Sequence, residues 1–165
     1  MLSKLFANYR FLLLVIVLGL CNCHTPSAQA ATIDPYISRY LHITEPIELL
    51  LDQEDKTGLF SPSQLAAGKK LFESNCINCH VGGATLPDPD VSLSLNTLKA
   101  AHPPRDRINS LVAFMRQPMT YDGSQETYWC RQLSPSLLSQ QQVENLAAFV
   151  LTAAQKAPGW GTEKF

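Results

Sequence analysis

The chain has 165 residues, 45% of them hydrophobic and 16% charged, with a formal net charge of −1, which suits one small domain around a single core. The near-neutral balance and the lack of a basic run exclude nucleic acid as a partner, because nothing is available to neutralise phosphates. Beyond the N-terminus no apolar stretch approaches the roughly 20 residues needed to span a bilayer, so a peripheral membrane role is the most the composition allows.

Residues 1–30 read as a secretory signal peptide. Lys4 and Arg10 precede an apolar run at 11–20, and Ala28-Gln29-Ala30 places small residues where a signal peptidase reads. Cys21 raises a lipoprotein site, but Leu20 before it is bulky for that role. Cleavage after Ala30 leaves 11 basic against 14 acidic residues, a formal charge of −3. It also leaves three cysteines, Cys76, Cys79 and Cys130, an odd count that no disulfide set explains.

Residues 31–60 form an N-terminal extension, with a helical turn expected at 47–51 and a polar turn at 52–58. Residues 61–165 form the main domain. Its first helix starts at Ser61, where Ser61 and Gln64 have the capping-box spacing and Pro62 occupies the first helical position. Leu65, Gly68, Leu71 and Phe72 share its inner face, and Ala66, Ala67 and Gly68 invite a second helix to approach. A short helix is expected at 92–101, stopped by Pro103-Pro104. Another follows at 105–117, ended by Pro118, with Ile108, Leu111, Val112 and Met115 at helical spacing. Tyr121-Asp122-Gly123 is a turn. The last helix starts near Ser139, with Gln142 completing a capping box, and Pro158-Gly159 closes it. The expected fold is all-α, with long loops that a cofactor would help to order.

Cys76-Ile77-Asn78-Cys79-His80 is the C-x-x-C-H pattern of covalent haem attachment. Two thiols on one turn add to the two vinyl groups of a haem, and the next residue sets an imidazole under the iron. A zinc knuckle would need a second Cys/His pair at suitable spacing, and none exists. A thioredoxin-like pair belongs at a strand-to-helix junction, whereas this string ends a helix. The expected cofactor is one covalently bound haem c, with Cys76 and Cys79 as attachment residues and His80 as an axial iron ligand. For the other axial position the residues leave His42, His102, Met115, Met119 and Cys130 open. Met115 lies on an apolar helix face, Met119 in a loop, and Cys130 in the aromatic string Tyr128-Trp129-Cys130.

Several strings resemble the cytochrome c-550 family, the low-potential extrinsic subunits on the lumenal side of cyanobacterial photosystem II. They are Ala67-Gly68-Lys69-Lys70-Leu71-Phe72, the stretch from Cys76 to Gly83, Pro103-Pro104-Arg105-Asp106, the Pro-x-Thr-Tyr-Asp-Gly string inside 117–126, and Gly159-Trp160-Gly161. The resemblance implies a class I c-type cytochrome fold around one haem. It also implies a second axial histidine soon after the Tyr-Asp-Gly string, followed by proline. Arg131 stands at that place and Cys130 beside it. The chain therefore looks like the c-550-like paralogue of some cyanobacteria, with iron ligands His80 and Cys130. Such a thiolate ligand favours Fe(III) and lowers the potential.

On this resemblance the expected role is an electron carrier or extrinsic photosystem II subunit of the thylakoid lumen, not an enzyme. Its partner would be the lumenal surface of photosystem II or a soluble redox protein. The alternative is a Cys-ligated haem enzyme or sensor acting on small sulfur compounds or gases. The charged run at His102, Arg105, Asp106 and Arg107 reads as a solvated turn or docking surface.

Overall fold

The computed structural model describes residues 34–86 and 91–162; the expected signal peptide, residues 1–30, lies outside them. The described chain opens on a π-helical turn, Tyr36–Tyr40. Asp34 Oδ1 accepts from the backbone N–H groups of Tyr36 (2.8 Å) and Ile37 (3.3 Å), satisfying donors that the turn leaves open. A hairpin follows, β1 (Ile47–Leu50) and β2 (Thr57–Phe60), antiparallel with Ile47 opposite Phe60 and Leu50 opposite Thr57.

The main helix α1 (Pro62–Asn75) starts as its sequence dictates. Ser61 Oγ accepts from Gln64 N (3.3 Å) and Gln64 Oε1 accepts from Ser61 N (2.9 Å). A 3-10 turn, Val81–Gly83, follows the C-x-x-C-H string. Next come α2 (Leu95–Ala100), α3 (Ile108–Arg116) and α4 (Gln140–Lys156). Ser139 and Gln142 close the second capping box at the start of α4.

Helices α1 and α4 pack closely because Gly68 presents no side chain: a Cβ there would lie 1.9 Å from the carbonyl oxygen of Asn145. Around the crossing, Phe72, Phe149 and Trp160 cluster with centroids 5.5–6.0 Å apart, Phe149 and Trp160 edge to face and the other pairs tilted, and Tyr36 joins Phe149 at 6.0 Å. The α3 face set by Ile108, Leu111, Val112 and Met115 is buried in the same core.

The fold is mainly helical, as expected, with a hairpin the sequence reading does not anticipate. The helical turn expected at 47–51 is strand β1. Its apolar residues pair across to β2, and Asp52 folds the link by accepting from Glu54 N and Lys56 N. The helix expected over 105–117 begins only at Ile108. Arg105 N donates to Leu98 O (2.8 Å), holding the preceding backbone extended against α2.

Candidate haem site

The C-x-x-C-H string unwinds α1 tightly. Phe72 O accepts from both Cys76 N (2.8 Å) and Ile77 N (3.1 Å), and Cys76 O accepts from Cys79 N (3.1 Å) and His80 N (2.9 Å). One turn thus carries both thiols and the imidazole at the C-terminal end of α1. The backbone beyond it is braced from two sides. Leu93 N donates to Gly83 O (2.7 Å), Gly161 N to Gly82 O (2.8 Å), and the Trp160 indole N–H to Leu93 O (3.0 Å). Gly83 has φ +80 and lies against the Trp160 indole, which a Cβ would meet at 2.6 Å; only glycine suits both demands.

His80 is held by a short relay. Thr85 Oγ1 spends its one hydrogen on Val91 O (2.5 Å), so it accepts from His80 Nδ1 at 3.0 Å. That fixes the proton on Nδ1 and leaves the Nε2 lone pair for a metal. Burial lowers the imidazole pKa, which keeps the ring neutral as ligation requires. The relay through Thr85 has no signature in the sequence, because residue 85 gains its partner only through the turn after His80.

Cys79, His80 and Cys130 line one cavity of about 510 Å³, walled by Leu93, Leu98, Ala101, Leu111 and Phe114 and shared with Met119. That volume lies within the roughly 300–1,000 Å³ of small-molecule and cofactor sites. Cys76 sits next to the cavity at the end of α1, close enough to Cys79 and Cys130 for the three sulfurs to influence one another's ionisation. Burial chiefly, then Cys130 and Cys79, push the Cys76 thiol up to about 12, with Arg131 opposing. Burial also raises the Cys130 thiol, with the Arg105 guanidinium opposing. Cys76 and Cys130 are therefore neutral thiols at neutral pH until chemistry or a metal claims them.

The other candidate ligands separate cleanly. Met115 is buried in the core, and His42 and His102 are exposed; none of the three lines the cavity. Cys130 and Met119 both do. The aromatic string beside Cys130 contributes Trp129 to the cavity mouth although that residue is 86% exposed, and Tyr128 is 97% exposed. Arg131 is exposed and reaches Asn75 Oδ1 at 3.5 Å.

The charged run after Pro104 is not a solvated turn. Arg105 is 6% exposed and Asp106 8%. Arg105 lines the cavity, and Asp106 pairs with Arg107 at 2.5 Å. The loop over them is tied down as well, with Tyr121 donating its hydroxyl to Thr97 O (2.9 Å) and His102 N donating to Tyr121 O (2.9 Å). The Pro-Pro-Arg-Asp string marked this place in the sequence; its burial was not legible there.

The model of the cytochrome c-550 domain matches residues 40–165. A cytochrome c-550-like protein of Thermosynechococcus vestitus is 52% identical over 153 residues, 93% of this chain and 87% of its own. The photosystem II extrinsic protein V of Gloeobacter violaceus is 49% identical over 156 residues, 90% of this chain and 84% of its own. The crystal structure of the PsbV2 cytochrome of Thermosynechococcus elongatus superposes with a TM-score of 0.78 at 55% identity, covering 79% of this chain and 99% of that one.

The chain belongs to the cytochrome c-550 family.

Its fold is that of the c-550-like cytochromes, and its cofactor is one covalently bound haem c. The residues present suit that group. Paired thiols and an imidazole with a free Nε2 stand at one end of a mostly apolar cavity, and a third sulfur lines the same space. A haem would supply reversible one-electron exchange at its iron; Cys76, Cys79 and His80 would hold it, and the apolar lining would give it a low-dielectric wall.

Proposed function

We propose that this chain is a low-potential electron carrier of the cyanobacterial thylakoid lumen that docks peripherally on the lumenal side of photosystem II. Cys76 and Cys79 hold the haem through thioether bonds, and His80 and Cys130 ligate its iron. The observation that carries the reading is the meeting of His80 and Cys130 in one apolar cavity. Held by both His80 and Cys130, a bound iron would keep no vacant position for a substrate, which suits electron transfer rather than catalysis. A thiolate ligand donates charge to the iron and stabilises Fe(III), which places the potential low. The photosystem partner is supported by the relative named as a photosystem II extrinsic protein. Among the described residues no helix is long and apolar enough to cross a membrane.

The partner is tested by purifying photosystem II from cyanobacteria that express this chain and lack the c-550 subunit. The expected result is co-purification at low salt and release by a salt wash. Absence from the complex under those conditions would remove photosystem II as the partner while leaving the haem assignment intact.

A further inference from the structure

Beyond the attachment thiol Cys79, two sulfurs share the cavity with His80: those of Cys130 and Met119. The fold holds them unequally. Met119 stands in a tied hairpin, where it pairs with Glu126 in an antiparallel bridge. Thr120 N donates to Gln125 O (2.8 Å) and Thr127 N to Pro118 O (3.0 Å), closing the same loop. The Met119 carbonyl also accepts from Nη2 of the buried Arg105 at 3.2 Å. Its backbone is therefore fixed at the cavity wall, while three rotatable bonds let the unbranched side chain reach inward.

Cys130 follows on a looser segment. Among the described residues no backbone-to-backbone hydrogen bond involves residues 128–132; the next joins Leu133 N to Met115 O (2.9 Å). Trp129 N turns instead to the Thr127 hydroxyl (3.3 Å), and the Tyr128 and Trp129 side chains stand exposed. Few backbone ties and high exposure mark a segment that shifts at low cost.

The two sulfurs also differ in chemistry. A thiolate is anionic and favours Fe(III). A thioether is neutral and favours Fe(II), which is why methionine ligation raises a haem potential. An electron carrier passes through both oxidation states, and no one sulfur suits both.

We infer that Met119 is an alternate axial ligand, taking over from Cys130 the position opposite His80 when the iron is reduced. This rests on the His80/Cys130 reading above. One electron from the donor protein converts Fe(III) to Fe(II). Cys130 leaves with the electron pair of its bond to iron, takes one proton from solvent and becomes a thiol. Met119 donates a sulfur lone pair to form the new bond. Reoxidation passes the electron to an acceptor, and Cys130 returns its proton to solvent as it displaces Met119. Both oxidation states keep two protein ligands, so the exchange opens no position to outside molecules.

The test uses the haem-loaded full protein, unaltered and as Met119→Leu, with 13C at the methionine methyl groups. The chain has only three methionines, Met1, Met115 and Met119. A reduced pyridine spectrum first establishes covalent haem, and ferric EPR establishes the thiolate. Absence of the haem would overturn the haem reading, absence of the thiolate signal the Cys130 ligation, and either would overturn this inference. With both present, the reduced unaltered protein should be low-spin, with one methionine methyl resonance driven far upfield by the haem ring current. In Met119→Leu that resonance should be lost, and the reduced iron should become high-spin and bind CO rapidly. A low-spin reduced iron in Met119→Leu, closed to CO, would overturn the inference. Should that variant fail to fold, the lack of any upfield methyl resonance in the reduced unaltered protein would overturn it as well.

Discussion

Cys130 and Arg131 are neighbours in the chain but meet different surroundings. Cys130 is half-buried on the cavity wall, while Arg131 is exposed and reaches toward Asn75 at the end of α1. Of these two neighbours it is the sulfur that shares the cavity with His80, although Arg131 occupies the place where the family resemblance expects a histidine. Replacing Cys130 by Ser removes the thiolate that the proposed ligation requires. The expected outcome is loss of the low-spin ferric thiolate spectrum in absorption and EPR, with a higher potential inside the roughly 0.8 V range that axial ligands set. An unchanged low-spin ferric spectrum would reject sulfur from Cys130 and turn attention to Met119, which lines the same cavity. His80 illustrates the opposite case: its role follows from the string Cys76 to His80, and the structure adds the Thr85 relay that fixes its tautomer.

The starts of α1 and α4 were legible because capping is local. Ser61 with Gln64 and Ser139 with Gln142 each close a reciprocal pair of hydrogen bonds within four residues, so the sequence specifies them without reference to the rest of the fold. The hairpin was not legible. Ile47-Glu48-Leu49-Leu50 is too short for its period to separate strand from helix, and its partner strand decides the matter. Asp52, placed to fold the link, was the available cue. The start of α3 was misplaced because Arg105 gives its backbone N–H to Leu98 O, a contact between elements. The approach of α1 to α4 provides a measurement at this scale. Gly68→Ala improves helix propensity by about 1 kcal/mol, but its Cβ would enter the Asn145 carbonyl, and backbone cannot rotate away. The net expectation is a loss of about 1–3 kcal/mol, read from the denaturation midpoint; a neutral or stabilising effect would show that the helices separate freely.

The N-terminal segment and the helices share one core. Ile37, Leu41, Ile43, Leu49 and Phe60 pack in the same cluster as Leu65, Leu146 and Leu151. Ile37 is fully buried, so Ile37→Ala should cost about 2–5 kcal/mol. The loss should appear in one cooperative transition followed alike by circular dichroism and by haem absorption. Two separate transitions would mean that residues 31–60 unfold on their own.

The sequence by itself determined the attachment string, the helix caps and the apolar helix faces, because each depends on residues within a turn or two of one another. It also carried the family strings, and with them the haem. Only the tertiary structure decided that Cys130 and Met119, but not Met115, share a cavity with His80, and that Arg105 lies buried inside rather than solvated outside. Those are properties of where distant segments meet. A thiol or a guanidinium has the same chemistry wherever it stands in the chain, and only the fold decides whether it faces a cavity or water.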